Sequence, residues 1–302
     1  MNILWLQDLP LSSLGGAQYT DEGMVIEGIR QGHWISTRQA NDYSLQEIEE
    51  SDLVIASNIV TFNNRQLEGL MENGTPVIYF LHDHNFCKWR AYFPMGPPCN
   101  EECLRRALWE KLYYEAKGII YLSPLHFESH KTWFPTLDTV PHLITPPPIR
   151  LEQFVERDKD LKLERVANSV VYVGPMIRYK GIENILKYAE EHPEYNYHFV
   201  GPDFDDWEAK VVQAGHKYWG KIANTALWKI YRRYEYFIHL PSYPMPAERT
   251  AIEAAICGCK LIVNDLVGMT SYPWFHEGRD SIIKHTTESP KRFWTFIDGL
   301  LA

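Results

Sequence analysis

The chain has 302 residues, of which 45% are hydrophobic, and its formal net charge is −9 at pH 7. This length suffices for two domains that each bury a core, which excludes a disordered chain. No apolar run approaches the roughly 20 residues that span a bilayer, and residues 1–6 carry no secretion signal, so we predict a cytoplasmic protein without stable membrane insertion. The negative charge disfavours duplex nucleic acid as the main partner.

The first half of the chain alternates short β-rich runs with helical patterns. The predicted strands are residues 2–7, 52–58, 76–82 and 118–123. The predicted helices are residues 17–30, 64–73, 101–117 and 124–133, which carry apolar residues three and four positions apart. Alternation of strand and helix predicts a parallel sheet.

A domain boundary is predicted after three consecutive prolines, Pro146 to Pro148, because a charged stretch at residues 152–165 follows them. The domains are then residues 1–155 and 156–302. The second contains predicted strands at 169–173, 197–200, 236–240 and 260–264, and helices at 181–191, 225–234, 247–256 and 290–300. The predicted fold class is α/β, with two Rossmann-like domains facing each other across a cleft.

Five cysteines are present, an odd number, and we expect them to be reduced and buried. Cys87, Cys99 and Cys103 could join His82 and His84 in a metal cluster. No CxxC pair or paired histidine spacing supports that interpretation, so we predict no metal site.

Two glycine-containing loops could bind anions. Gly15 and Gly16 follow the first predicted strand and precede a helix, although a plain turn would have the same sequence. Arg178 and Lys180 follow the strand at 169–173 and lie beside a helix N-terminus. The helix dipole, the free N–H groups and the two cations would together favour binding of a diphosphate there. The alternative is that Arg178 and Lys180 are solvated side chains in a loop.

A third segment, residues 240–255, runs from a strand through a proline-rich loop into a helix. Glu253 lies in this helix between Ile252 and Ile256, where a carboxylate needs a partner such as the hydroxyl pair of a ribose. A partly exposed helical glutamate is the alternative. The backbone amides of Arg249 and Thr250, at the start of the helix, are suited to a phosphate.

In their order along the chain, these segments resemble glycosyltransferase family 4, retaining nucleotide-sugar enzymes with two Rossmann-like domains (GT-B). The resemblance spans nearly the whole chain. It includes residues 15–18, 82–83, Ser123, 144–154, 173–181, 200–202, 219–220, Pro241 with Ser242, and 253–258.

The resemblance implies transfer of a sugar with retention and without an obligatory metal or other cofactor, with the C-terminal domain holding the nucleotide-sugar donor. Lys180 would neutralise the departing diphosphate and Glu253 would bind the ribose. Gly15 and Gly16 would border donor and acceptor, and His82 would face the sugar from the N-terminal, acceptor-side domain. Stabilisation of the leaving group would be the main catalytic term.

The chain departs from the family pattern within the site. The first glutamate of the family's Glu, seven residues, Glu motif is replaced by Met245, and the following Gly-Phe-Gly is replaced by residues 246–248, so that Glu248 takes the position of a glycine. The family arginine after the Val-Gly pair is replaced by Pro175. Arg178 is our candidate to compensate for that loss.

We therefore predict a hexosyl- or related glycosyltransferase that moves a sugar from a nucleoside-diphosphate sugar to an acceptor hydroxyl. The acceptor is a glycan or another hydroxyl-bearing molecule, with a modified nucleic-acid base left open, and the nucleotide base is undetermined. The alternative is a degenerate relative that binds a nucleotide or glycan without catalysis. A nucleotide-sugar epimerase would need acid and base residues that the sequence does not provide.

Overall fold

A computed structural model of the chain describes residues 1–13, 15–87, 105–154 and 163–302. The chain divides into two compact units. The first comprises Met1–Pro148 together with Glu288–Ala302, and the second comprises Ile149–Thr287. Within the described residues, no helix is long and apolar enough to cross a membrane.

The first unit is built on a six-stranded sheet in which every strand pair is parallel, with strand order β2-β1-β3-β4-β5-β6. The strands are β1 (Asn2–Gln7), β2 (Trp34–Gln39), β3 (Leu53–Ser57), β4 (Val77–Phe80), β5 (Gly118–Tyr121) and β6 (His142–Ile144). All residues of β3, β4 and β5 are buried, as expected for a parallel sheet covered on both faces.

Within the described part of this unit, six helices accompany the sheet. They are α1 (Gly16–Arg30), α2 (Leu45–Glu49), α3 (Asn64–Glu72), α4 (Arg106–Glu115), α5 (Pro124–Lys131) and, from the end of the chain, α11 (Ser289–Leu301). Local sequence sets their starts: Ser44 and Asn63 form capping boxes, and Ser123 accepts a bond from the His126 amide at 3.0 Å before Pro124.

The C-terminal helix α11 belongs to the first unit. The Trp294 side chain is fully buried and donates from Nε1 to the carbonyl of Met24 at 2.8 Å, and Phe293 stacks on Trp5 with ring centroids 5.9 Å apart. This division differs from the predicted one in two places. The boundary follows Pro148 instead of residue 155, and residues 288–302 belong to the first unit instead of the second. Burial of two large aromatic side chains explains the return of the chain.

The second unit contains a five-stranded parallel sheet with strand order β11-β10-β7-β8-β9. Its strands are β7 (Val166–Val173), β8 (Asn196–Val200), β9 (Lys217–Tyr218), β10 (Tyr234–His239) and β11 (Lys260–Val263). Its helices are α6 (Ile182–Glu191), α7 (Trp207–Gln213), α8 (Asn224–Arg233), α9 (Arg249–Ile256) and α10 (Arg279–Thr287). The strands and helices predicted in each half are found where expected, with their ends shifted by a few residues, and the prediction of two Rossmann-like α/β domains is confirmed.

Candidate functional site

Each sheet has a topological switch point, where the strand order reverses so that the connections on its two sides run in opposite directions. In the first unit this switch lies between β1 and β3, and in the second between β7 and β10. Open α/β sheets bind ligands at the carboxyl ends of the strands that flank such a switch.

At the switch of the second unit, Lys180 meets Glu248. Lys180 ends a 3₁₀ turn that follows β7, and Glu248 immediately precedes α9, which follows β10. Lys180 Nζ donates to Glu248 Oε2 at 2.6 Å, and Nε2 of His239, the last residue of β10, lies 3.1 Å from the same oxygen. The Thr250 hydroxyl donates to Glu248 Oε1 at 3.2 Å. Both oxygens of this carboxylate are thus occupied.

The Lys180–Glu248 pair is a charged one at neutral pH. Burial alone would raise the pKa of Glu248, but Lys180 and His239 beside it hold that pKa well below its ordinary value. Burial likewise opposes the charge on Lys180, and Glu248 more than offsets it, so that the pKa of Lys180 is raised. The cation predicted for a diphosphate is accordingly neutralised by a carboxylate of its own chain.

Glu248 has a backbone conformation that favours glycine. Its φ is 68°, in the left-handed region that favours glycine, and it is one of a few non-glycine residues in that region among those described. A side chain at such a position costs about 1 kcal/mol or more and persists only where contacts hold it. Here the contacts are those of the carboxylate with Lys180, His239 and Thr250.

Glu253 lies in α9 and has partners within the second unit. Arg249, one turn earlier, donates from Nε to Glu253 Oε1 at 2.8 Å, and the Tyr231 hydroxyl donates to Oε2 at 3.3 Å. Burial raises the pKa of Glu253, and the nearby Arg249 guanidinium counteracts this only in part. The carboxylate needed a polar partner, as predicted, and in this structure the side chains of Arg249 and Tyr231 provide it.

The remaining predicted donor residues lie around the same switch. The Arg178 side chain is 62% exposed, with Nε 3.9 Å from Glu183 Oε2, which corresponds to the solvated alternative. Ser242 is exposed after β10, and its hydroxyl accepts from Asn184 Nδ2 at 3.3 Å. Gly181 has φ 79°, and a Cβ there would collide with the backbone carbonyl of Leu240, so the turn after Lys180 requires glycine.

Two of the three departures from the pattern of the resembled family, Met245 and Pro175, lie in loops beside this switch. Met245 is 4% exposed and is held by backbone bonds, from its amide to the Leu266 carbonyl at 2.7 Å and from the Gly268 amide to its own carbonyl at 2.9 Å. An apolar side chain suits this buried position. The Pro175 carbonyl accepts from the Tyr172 hydroxyl at 2.8 Å.

At the switch of the first unit, His82 forms a cluster with two residues that sequence reasoning missed, Asp21 and Ser57. His82 Nε2 lies 2.8 Å from Asp21 Oδ1 and 3.0 Å from Ser57 Oγ, and the Ser57 hydroxyl donates to the same Asp21 oxygen at 2.7 Å. The Ser57 hydroxyl donates its proton to Asp21, so Ser57 Oγ can only accept from His82. Nε2–H of His82 is therefore donated to both Ser57 Oγ and the Asp21 carboxylate. Asp21 and Ser57 are fully buried. Asp21 lies in the second turn of α1, and Ser57 is the last residue of β3.

Gly15 and Gly16 also follow β1 at this switch. Gly15 caps α1 in an extended conformation with φ −116°, and a Cβ on Gly16 would meet no atom within 4 Å. A Cβ on Gly15 would collide with the Gln18 side-chain amide, which would have to move, whereas the packing of the unit does not require glycine at Gly16. Open space at Gly16 fits the predicted close approach of a ligand, which stays a prediction.

Of the cysteines, Cys87, Cys257 and Cys259 are buried. Cys99 and Cys103, two of the residues considered as a metal cluster, lie outside the described residues. His82 is engaged by Asp21 and Ser57, while His84 packs with His126 and His130.

A cavity of about 340 Å³ lies elsewhere in the second unit. Its lining includes His198, Lys217, Trp219 and Tyr234, near the starts of β8, β9 and β10. None of the predicted site residues lines it. Since ligands of this fold bind at the opposite, carboxyl ends of the strands, the cavity is separate from the candidate site.

Comparison with known families matches residues 178–294 to a family model described as glycosyl transferase-like. The matched segment is less than half of the chain, and it contains every donor-side residue described above from Arg178 to Glu253. No curated protein matches the chain.

Among solved structures, AviGT4, a glycosyltransferase involved in avilamycin A biosynthesis, is 12% identical with a TM-score of 0.66 and covers 100% of this chain and 98% of its own. An alpha-glucosyltransferase in complex with UDP-glucose and DNA containing an abasic site is 14% identical with a TM-score of 0.62, over 100% of both chains. Anabaena Alr3699/HepE in complex with UDP and glucose is 12% identical with a TM-score of 0.61, over 99% and 98%. The chain thus has the two-Rossmann-like α/β fold of these glycosyltransferases.

Proposed function

We propose that this protein is a glycosyltransferase that uses a nucleoside-diphosphate sugar, and we retain the resemblance to glycosyltransferase family 4 as part of the proposal. The observation that carries it is the position of Lys180 and Glu248 at the switch between β7 and β10. This switch lies in the unit that contains most of the glycosyl transferase-like match.

Lys180 retains the capacity to bind a diphosphate beside Glu248. An ammonium group has three N–H donors, and Glu248 accepts one of them. Diphosphate oxygens would accept from the others, close to the first turn of α9, which begins at Arg249. The positive end of that helix adds to the attraction for an anion.

The proposed reaction breaks the bond between the anomeric carbon and the diphosphate oxygen while an acceptor hydroxyl oxygen bonds to that carbon. Negative charge then grows on the leaving phosphate, where Lys180 stabilises it, so that lysine and helix dipole act in place of a divalent metal. The proton of the acceptor hydroxyl passes to an oxygen of the departing phosphate as that hydroxyl attacks. His82, whose Nε2–H is fixed by Asp21 and Ser57, is proposed to face the sugar with its other edge.

For the donor, we propose a UDP-hexose first, because the nucleotide in the alpha-glucosyltransferase and HepE structures is UDP or UDP-glucose. For the acceptor, we propose a hydroxyl on a glycan or on a modified nucleic-acid base. The chain's net charge of −9 makes the glycan the better first choice.

Thermal unfolding with UDP, GDP, ADP and TDP, and with their common sugar conjugates, tests the donor site. We expect one nucleotide to raise the Tm of the wild-type protein and to have little effect on Lys180→Ala. Lys187→Ala is the matched control, because Lys187 lies nearby on α6 with a side chain that is 76% exposed. Absence of a shift with every nucleotide, or an equal shift in Lys180→Ala, contradicts the proposed donor site.

A second candidate function is nucleotide or glycan binding without transfer. One observation favours it: Lys180 and Arg249 are each paired with a carboxylate of the same chain, Glu248 and Glu253. Release of UDP from UDP-glucose, measured with a panel of sugar and nucleic-acid acceptors, separates the two functions. Binding without turnover would support the second.

Retention and independence from metal have their own tests. The anomeric configuration of the first-formed product, followed by NMR, should match that of the donor. Activity should persist without added Mg²⁺ or Mn²⁺, and a requirement for either ion would overturn that part of the proposal.

A further inference from the structure

Three buried histidines form a compact cluster in the first unit. His84 follows β4, and His126 and His130 lie one turn apart on α5. All three are between 0 and 1% exposed. Each offers a ring nitrogen, and these nitrogens all lie within 4.8 Å of one another.

Hydrogen bonds fix the protonation of two of these rings. His130 donates from Nδ1 to the His126 carbonyl at 2.9 Å, so its Nε2 carries a lone pair. That Nε2 is buried and has no hydrogen-bond partner among the described residues. His126 donates from Nε2 to the Asp83 carbonyl at 3.2 Å, and its Nδ1 accepts only a long bond of 3.3 Å from the Leu122 amide.

This is the bonding pattern of histidines that ligate metals, in which one ring N–H is donated to a backbone carbonyl and the other nitrogen faces the ion. A buried nitrogen lone pair without a partner has a desolvation cost. Coordination of an ion by Nε2 of His130 would remove that cost.

We propose that His84, His126 and His130 bind a divalent transition-metal ion of the zinc class. Zn–N bonds of about 2.1 Å place two ligand nitrogens roughly 3.4 Å apart, so small rotations of the rings complete the site. Three imidazoles suit zinc, copper, nickel or cobalt, and do not suit magnesium or calcium, which prefer oxygen ligands. The ion ties the segment after β4, which contains His82, to helix α5.

Titration of the full-length, untagged protein with Co²⁺ after treatment with a chelator tests this site. Four-coordinate Co²⁺ gives strong visible d–d absorption, and we expect about one equivalent to bind and to be displaced by Zn²⁺. Zn²⁺ should also raise the Tm of the chelator-treated protein. X-ray absorption of the zinc-loaded wild type should report imidazole nitrogens in the first coordination sphere.

His130→Gln should lose the Co²⁺ signal, with affinity at least about 10-fold weaker. His142→Gln is the matched control, because His142 is a partly buried histidine of the same unit that stacks on Phe127 outside the cluster. It should bind Co²⁺ as the wild type does. Failure of the wild type to bind Co²⁺ or Zn²⁺, absence of imidazole nitrogens around a bound ion, or unchanged binding in a folded His130→Gln protein would each overturn the proposal. Neither the wild-type titration nor its absorption spectrum depends on the variant folding or on nucleotide binding.

Discussion

The ammonium of Lys180 lies 2.6 Å from Oε2 of Glu248, and the two residues come from loops that follow the neighbouring strands β7 and β10. Glu248 therefore directs an anion at the cation on which the proposed donor site depends. The free protein holds this cation neutralised, and a diphosphate must share Lys180 with Glu248 or displace it.

Removing the Glu248 charge should strengthen diphosphate binding. We expect Glu248→Gln to lower the Kd for the nucleoside diphosphate about 10-fold, because a negative charge a few ångströms from the phosphates is lost. Titration calorimetry measures the change. Glu183→Gln is the control, since Glu183 is 55% exposed beside Arg178 and its charge is screened. Weaker binding in Glu248→Gln would mean that Glu248 supports the donor instead of competing with it.

The backbone at Glu248 predicts a difference between two truncations. Glu248→Ala and Glu248→Gly both break the pair with Lys180, which costs about 3 kcal/mol of unfolding free energy. Only glycine relieves the left-handed φ of 68°, so we expect Glu248→Gly to be more stable than Glu248→Ala by about 1 kcal/mol. Urea denaturation of both variants checks this. Equal stabilities would show that the position carries no backbone strain.

The two carboxylates should give opposite pH dependences. The folded-state pKa of Glu248 lies below its ordinary 4.5, so its contribution to stability is present above pH 4.5 and is lost as the pH falls below that value. The folded-state pKa of Glu253 is raised, so as the pH rises through 4.5 Glu253 loses its proton in the unfolded chain before it does so in the folded protein. The free energy of unfolding therefore falls as the pH rises above 4.5.

Urea denaturation from acidic to neutral pH measures this contrast. The difference in stability between wild type and Glu248→Gln should grow from acid to neutral pH, and that between wild type and Glu253→Gln should shift in the opposite direction. Parallel pH profiles for the two variants would contradict the assigned directions.

The cluster of His82 with Asp21 and Ser57 predicts a graded loss of turnover. His82→Gln should lower kcat about 100-fold if His82 acts at the sugar. Asp21→Asn should lower kcat by a smaller factor, of the order of 10-fold, because it removes the carboxylate that accepts from Nε2. KM for the donor should stay nearly unchanged, because Lys180 provides the proposed diphosphate contact. A kcat for His82→Gln equal to that of the wild type would assign the cluster a structural role.

Two glycines with nearly equal φ angles allow the cost of backbone strain to be distinguished from the cost of a steric collision at Cβ. Gly181 has φ 79° and Gly215 has φ 82°, but a Cβ meets the Leu240 carbonyl at Gly181 and nothing within 4 Å at Gly215. We expect Gly215→Ala to cost about 1 kcal/mol and Gly181→Ala about 3 kcal/mol or more, with loss of diphosphate binding only in Gly181→Ala. Denaturation and calorimetry test both parts, and equal costs would exclude the collision.

Strands with an apolar run, such as residues 3–6 of β1 and 53–56 of β3, and helices with clear caps, such as α3, could be predicted from sequence because their signals are local. Strands β2, β6 and β9 were not predicted. β2 has partly exposed residues, and β6 and β9 are three and two residues long, so neither periodicity nor composition marks them. Their pairing with longer strands decides their conformation.

The sequence by itself determined the parallel α/β class, the existence of two domains and the loops that carry the candidate residues, because apolar periodicity and turn residues act over a few positions along the chain. Only the tertiary structure decided the partners: that Glu248 meets Lys180, that Asp21 and Ser57 hold His82, that His84 joins His126 and His130, and that α11 returns to the first unit. These partners lie dozens to hundreds of residues apart, and strand order brings them together. No local pattern encodes that order, since it follows from which buried surfaces fit together.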